Sequence, residues 1–256
     1  MLTIKELKNI QIETPKWILD LKYFENRFKI NNKIKKRKLD KKHRLFKETM
    51  VDYRNFGIMG ESYYWQFRNE KQFKNVKNLL KKEFYLRESV VKDLKKVDGF
   101  LRKNNLALYI KSGYRHEKVQ LAAIDYFASK GDEKQKMLFA QPKERSKNHP
   151  YPHSTGAAFD ITLYDLKKNN FIDLRFRKDI TIWGIEKAQN LNAKEKKVRL
   201  YRRLLYNLLC TPVVLQKESL FTAHPFEYWH FSRGDQLARY FSGSKKLAYY
   251  GEVSEI

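Results

Sequence analysis

HPYPHSTGAAFDITLY, residues 149–164, runs from a proline-rich entry into a strand-like alternation. Ala157, Phe159, Ile161 and Leu163 fall on one face; Ala158, Asp160, Thr162 and Tyr164 fall on the other. Asp160 therefore points away from the most apolar side, yet Asp is poorly suited to a strand interior and needs something to hold it there. Gly156, three residues after His153, permits a tight turn just before the strand. Pro150 and Pro152 disfavour a helix that would stack His149 over His153.

Outward from this strand, the spacing of Leu86, Val90, Leu94, Val97 and Leu101 predicts an amphipathic helix over 86–104. LALYIKSGYR, residues 106–115, reads as a strand ending at a glycine turn, and a second helix is expected over 117–129. Val198, Tyr201, Leu205, Leu208 and Leu209 predict a further helix closed by Thr211-Pro212, while VVL at 213–215 and FEYWHF at 226–231 read as late strands. Short strands interspersed with helices, without a regular alternation, favour an α+β fold over a doubly wound parallel sheet.

At 256 residues the chain can bury one sizeable core, and 42% hydrophobic content with 14% aromatics excludes a collagen-like or wholly disordered protein. The formal charge of +25 favours attraction to anionic polymers, although lysines spread along the whole chain also fit a compositional bias that needs no anionic ligand. The densest basic run, KIKKRKLDKKHR at 33–44, suits a solvated face, and no nucleic-acid motif accompanies it, so no specific nucleic acid is expected. The lone Cys210 excludes an internal disulfide and is expected to be buried among leucines. Neither a signal peptide nor a membrane span is legible, which gives an expectation of a cytoplasmic protein.

Six histidines limit where chemistry can sit. His153 and His230 each have a carboxylate nearby in sequence, Asp160 and Glu227 respectively. Two His and one carboxylate make a workable zinc shell that leaves a fourth position for water, and the second carboxylate can then act as a base. His149 and His224 remain rival ligands.

SGYR at 112–115, HSTGAAFD at 153–160 and EYWH at 227–230 followed by FSRGDQ at 231–236 resemble, in order and spacing, the signature blocks of the zinc D-alanyl-D-alanine peptidases. The resemblance is closest to the D-Ala-D-Ala dipeptidase branch and covers roughly 85–243; VDYRNFG at 51–57 and YYW at 63–65 are similar to that branch's aromatic N-terminal part. It implies a small antiparallel sheet flanked by helices, of the zinc D-Ala-D-Ala peptidase or hedgehog type. It divides the chain into a basic, aromatic region over 1–80, packed on or extending the rest, and a catalytic domain over 81–256. One zinc ion per chain would be held by His153, Asp160 and His230, with Glu227 as general base and Arg115 stabilising developing negative charge. The implied activity is hydrolysis of a small D-amino-acid peptide, D-alanyl-D-alanine, in cell-wall metabolism.

Glu227 and His230, three residues apart, would face opposite sides of a regular strand, so Glu227 is expected at an irregular entrance after Pro225. Two departures bear on substrate length. Tyr151 stands where the family commonly has Ser, and Ser112 where dipeptidases often have Asp. Tyr151, Ser154 and Asp179 are the candidate substrate contacts, Asp179 or Asp173 offering an acidic group to a free ammonium. The alternatives are a carboxypeptidase or endopeptidase on longer peptidoglycan peptides, and a basic anion-binding or nucleic-acid-binding protein with a structural zinc.

Overall fold

The computed structural model describes residues 2–13, 30, 33–34, 36–131, 151–176 and 184–253. Helix α1 (Ile4–Asn9) starts from a reciprocal cap in which the Glu6 amide donates to the Thr3 hydroxyl and the Thr3 amide to the Glu6 carboxylate. Three short strands follow: β1 (Met50–Asp52), β2 (Met59–Gly60) and β3 (Tyr85–Arg87). Between β2 and β3 the chain runs largely through 3-10 turns, including Tyr63–Phe67.

The expected first helix forms as α2 (Glu88–Arg102), with Val90, Val91, Leu94, Val97 and Leu101 wholly buried. It packs on β4 (Leu106–Ser112) and is tied to it by Asp98, whose buried carboxylate accepts from the Leu108 amide at 3.0 Å. Helix α3 (Glu117–Ser129) has the bounds expected, capped by His116, whose Nδ1 accepts from the Lys118 amide. Strand β5 (Ala158–Asp165) realises the alternation: Phe159, Ile161 and Leu163 are buried while Asp160, Thr162 and Tyr164 are half-buried. β6 (Asn170–Phe171) pairs with its far end.

Helix α4 (Ala193–Cys210) begins at an Asn192–Glu195 capping box and ends at Thr211, before Pro212. Cys210 is half-buried rather than buried, at the last turn of that helix. β7 (Thr222–Ala223), β8 (His230–Ser232) and α5 (Gln236–Phe241) follow, and single helical turns at Lys77–Leu80 and Gly184–Lys187 lie between the longer elements.

The main sheet runs β2-β4-β5-β8-β7; it is antiparallel except that β2 lies parallel to β4. The mixed α+β class and the small sheet flanked by helices agree with the sequence reading. Two late strands do not. Residues 213–215 form a turn, because Val213 closes back on the Thr211 carbonyl and Leu215 serves the core through its buried side chain. Of residues 226–231 only the last two are strand; the preceding ones form the tight link between β7 and β8, with the Glu227 amide donating to His224 and the His230 amide to Glu227.

Candidate metal and catalytic site

Sheet register builds the site. Ser112 on β4, Asp160 on β5 and His230 on β8 are successive cross-strand partners, so their side chains form a row on one face. The β4–β5 register slips between Ile110 and Ser112, leaving Lys111 as an extra residue, and this bulge brings Ser112 opposite Asp160.

His153 arrives from the 3-10 turn Pro152–Thr155, which Gly156 closes in the left-handed region at φ 69°. Its Nδ1 lies 2.7 Å from the Gly113 carbonyl, a contact that makes Nδ1 the donor and leaves Nε2 as a lone-pair atom 3.4 Å from Asp160 Oδ2. His230 Nδ1 lies 3.0 Å from Asp160 Oδ1 and 3.7 Å from Glu227 Oε2. Ligand atoms of His153, Asp160 and His230 all lie within 4.8 Å of one another. Glu227 occupies the β7–β8 link two residues past Pro225, the irregular entrance expected for it.

The protonation states of His153 and Asp160 suit cation binding, while that of His230 leans towards the imidazolium that a bound cation would have to deprotonate. Burial pushes the His153 imidazole down to about 4 against the pull of Asp160, so the ring is neutral near pH 7. Burial alone would raise the Asp160 carboxyl, but His153 and His230 hold it well below the usual range. Burial would lower His230, and its hydrogen bond to Asp160 reverses this. Two imidazoles and one carboxylate, converging in a buried pocket with one His fixed by a backbone carbonyl, fit a zinc shell of three protein ligands.

Arg115 sits beside this group, with Nη2 3.0 Å from the Ser112 hydroxyl and 3.5 Å from Asp160 Oδ2. Nη1 donates to Gln120 Oε1 at 3.0 Å, and the guanidinium lies over the Tyr64 ring at 4.6 Å. Burial opposes its charge, yet Tyr64, Asp160, Glu83 and Glu227 raise its pKa above the ordinary value.

The remaining candidates are placed differently. Ser154 gives its hydroxyl to the Tyr151 carbonyl at 2.9 Å, and both residues are buried. Asp179 and His149 lie outside the described residues. His224 is buried against Phe226 and Phe241 and is not in the metal-ligand group. Asp173 is engaged by Arg175 and Lys194, and Asp235 caps α5 through the Ala238 amide. Tyr114 is a packing residue whose hydroxyl donates to the Val253 carbonyl.

Sequence reasoning missed the support beneath Arg115. Glu83, fully buried, accepts from the Ser62 hydroxyl and the Tyr64 amide, and so holds the turn that carries Tyr64. KKEF at 81–84 reads as surface, and nothing in its spacing signals a buried acid.

Comparison with known proteins supplies the family. A D-alanyl-D-alanine dipeptidase of Synechocystis sp. is 35% identical over 114 residues, which are 41% of this chain and 44% of that protein. The chain thus matches under half the length of that curated relative. The solved LdcB LD-carboxypeptidase, described as revealing the molecular basis of peptidoglycan recognition, is 23% identical across 65% of this chain and 72% of that one, with a TM-score of 0.35. The family model described as D-ala-D-ala dipeptidase matches residues 67–247, a span that contains Arg115, His153, Asp160, Glu227 and His230, and the chain belongs to that family of M15 peptidases.

Proposed function

We propose that the protein is a zinc-dependent hydrolase of D-alanyl-D-alanine, acting in cell-wall peptide metabolism. The observation that carries this reading is the convergence of His153, Asp160 and His230 with Glu227 and Arg115 at its edges. When bound, zinc supplies a water activated near neutral pH and polarises a carbonyl. Glu227 takes a proton from the attacking water and returns it to the leaving amine. Arg115, protonated and braced by Ser112, Gln120 and Tyr64, stabilises negative charge growing on the carbonyl oxygen. His153 keeps its Nδ1 proton on the Gly113 carbonyl, so its Nε2 stays aimed at the site.

Metal analysis coupled to D-Ala-D-Ala hydrolysis tests the reading on the wild type and Glu227→Gln. We expect both to hold one zinc, with turnover falling about 100-fold or more in the variant. Undiminished turnover removes Glu227 from the mechanism, and absence of hydrolysis at full zinc loading overturns the assignment. A second reading, cleavage of longer peptides, is favoured by a cavity lined by Arg68, Lys81 and Lys111, the last being the bulge residue next to Ser112.

A further inference from the structure

Glu83 is a wholly buried acid to which the reaction above gives no part. Its main chain and its side chain reach different supports of the site. The Glu83 carbonyl accepts from the Gly113 amide at 3.2 Å, and the Tyr85 carbonyl accepts from the Tyr114 amide at 3.0 Å. A Cβ on Gly113 would meet the Glu83 carbonyl at 2.5 Å, so glycine is what lets the two segments come this close. Residues 83–85 thereby back the short stretch of chain that leads into Arg115.

The side chain governs what lies against the guanidinium. Glu83 Oε2 accepts from the Ser62 hydroxyl and, at 3.4 Å, from the Tyr64 amide. Arg115 is fixed at its edge by Ser112 and Gln120, each bonded to one Nη. Those two bonds set the guanidinium within its own plane; across that plane it rests on the Tyr64 ring, 4.6 Å away. Tyr64 is buried and its amide is tied to Glu83, so removing the carboxylate frees the ring to move. A displacement of about 1 Å at a group that stabilises the transition state can cost on the order of 100-fold in rate.

We propose that Glu83 is a positioning residue for Arg115: through Ser62 and the Tyr64 amide it holds the Tyr64 ring in place, and the ring holds the guanidinium where the oxyanion develops. The inference rests on the hydrolase reading above and deepens it by adding a residue that acts only through another side chain. It works through hydrogen bonds to a carboxyl oxygen, which the amide oxygen of glutamine also supplies.

The test uses the full zinc-loaded chain with D-Ala-D-Ala, each variant assayed well below its own Tm. Glu83→Ala should lower kcat by about 10-fold or more while KM changes less than about 2-fold, and Glu83→Gln should restore most of the loss. In an Arg115→Ala background Glu83→Ala should cost nothing further, because the group it positions is gone. Zinc affinity should match wild type in Glu83→Ala, since the Gly113 strip that fixes His153 is held by the Glu83 main chain. Ser62→Ala, which removes one of the two ties, should show the same pattern on a smaller scale and carries the test if Glu83→Ala fails to fold. A loss that persists in the Arg115→Ala background, that Glu83→Gln leaves unrestored or that comes with lost zinc overturns the proposal. Nitrogen-15 NMR of the Arg115 Nε–H, assigned by its disappearance in Arg115→Ala, reads the position without turnover. A resonance kept in Glu83→Gln and shifted or broadened in Glu83→Ala supports the positioning even if wild type hydrolyses nothing, in which case the hydrolase reading alone falls; a resonance unchanged in Glu83→Ala overturns the positioning.

Discussion

Glu83 is the residue whose cost is most visible. No described group pairs with its Oε1, and burial pushes its carboxyl up to about 7, with Arg115 pulling the other way. Its folded pKa therefore lies above the unfolded value of 4.5, so the protonated form is the one the fold favours. The corresponding stability is present in full below 4.5 and is lost as pH rises through about 7. Glu83→Gln keeps an oxygen for Ser62 and Tyr64 and cannot ionise. Urea unfolding should find the variant close to wild type at low pH and more stable by on the order of 3 kcal/mol near pH 8. A gap between the two proteins that does not change with pH would show that Glu83 ionises in the fold as readily as in water.

At the scale of elements, one buried ion pair fastens the His230 strand to the rest. Arg233, just past β8, donates to Asp93 on α2 at 2.6 Å, to the Ser219 carbonyl at 2.9 Å and to the Ser89 hydroxyl at 3.1 Å. Its own amide donates to the Ala157 carbonyl at the start of β5, so one residue joins α2, β5 and β8. Burial would raise the Asp93 carboxyl, and Lys96 and Arg233 hold it below its usual value instead. Removing one partner leaves the other charge buried, at a cost of about 3 to 5 kcal/mol. Asp93→Ala should therefore lower the urea midpoint sharply, and pairing it with Arg233→Met should recover much of the loss; a cost under about 1 kcal/mol for the single change would mean that Arg233 finds water instead. The sequence shows α2, α3, β4 and β5 plainly because each keeps one period for six residues or more. It hides the 3-10 turns between β2 and β3, which keep neither period, and with them the buried Glu83. The signature blocks name the candidate site residues, while the register that sets Ser112 opposite Asp160 depends on a bulge that no local pattern announces.

Over the whole molecule, the segment least readable in sequence turns out to share the core beneath the site. Leu7 and Ile12 belong to the same buried cluster as Leu204, Leu208, Phe159 and Phe231, and α1 lies on α4. The join is also polar: the buried Asn207 amide donates to the Leu7 carbonyl at 3.0 Å and to the Ile10 carbonyl at 3.1 Å. These partners lie some 200 residues apart, and a separation of that size leaves no trace in local periodicity. Deleting residues 2–12 strips two buried aliphatic side chains, each worth about 1.5 to 3 kcal/mol, and leaves the Asn207 amide without those acceptors. We expect a loss of roughly 4 kcal/mol, which for a chain of this size lowers Tm by about 10 °C. Zinc stoichiometry well below the new Tm should persist, because the candidate metal ligands and the β4–β5–β8 register lie outside the deleted stretch. An unshifted melting curve would mean that α1 contributes nothing to the core; loss of zinc together with stability would mean that α1 supports the site as well as the fold.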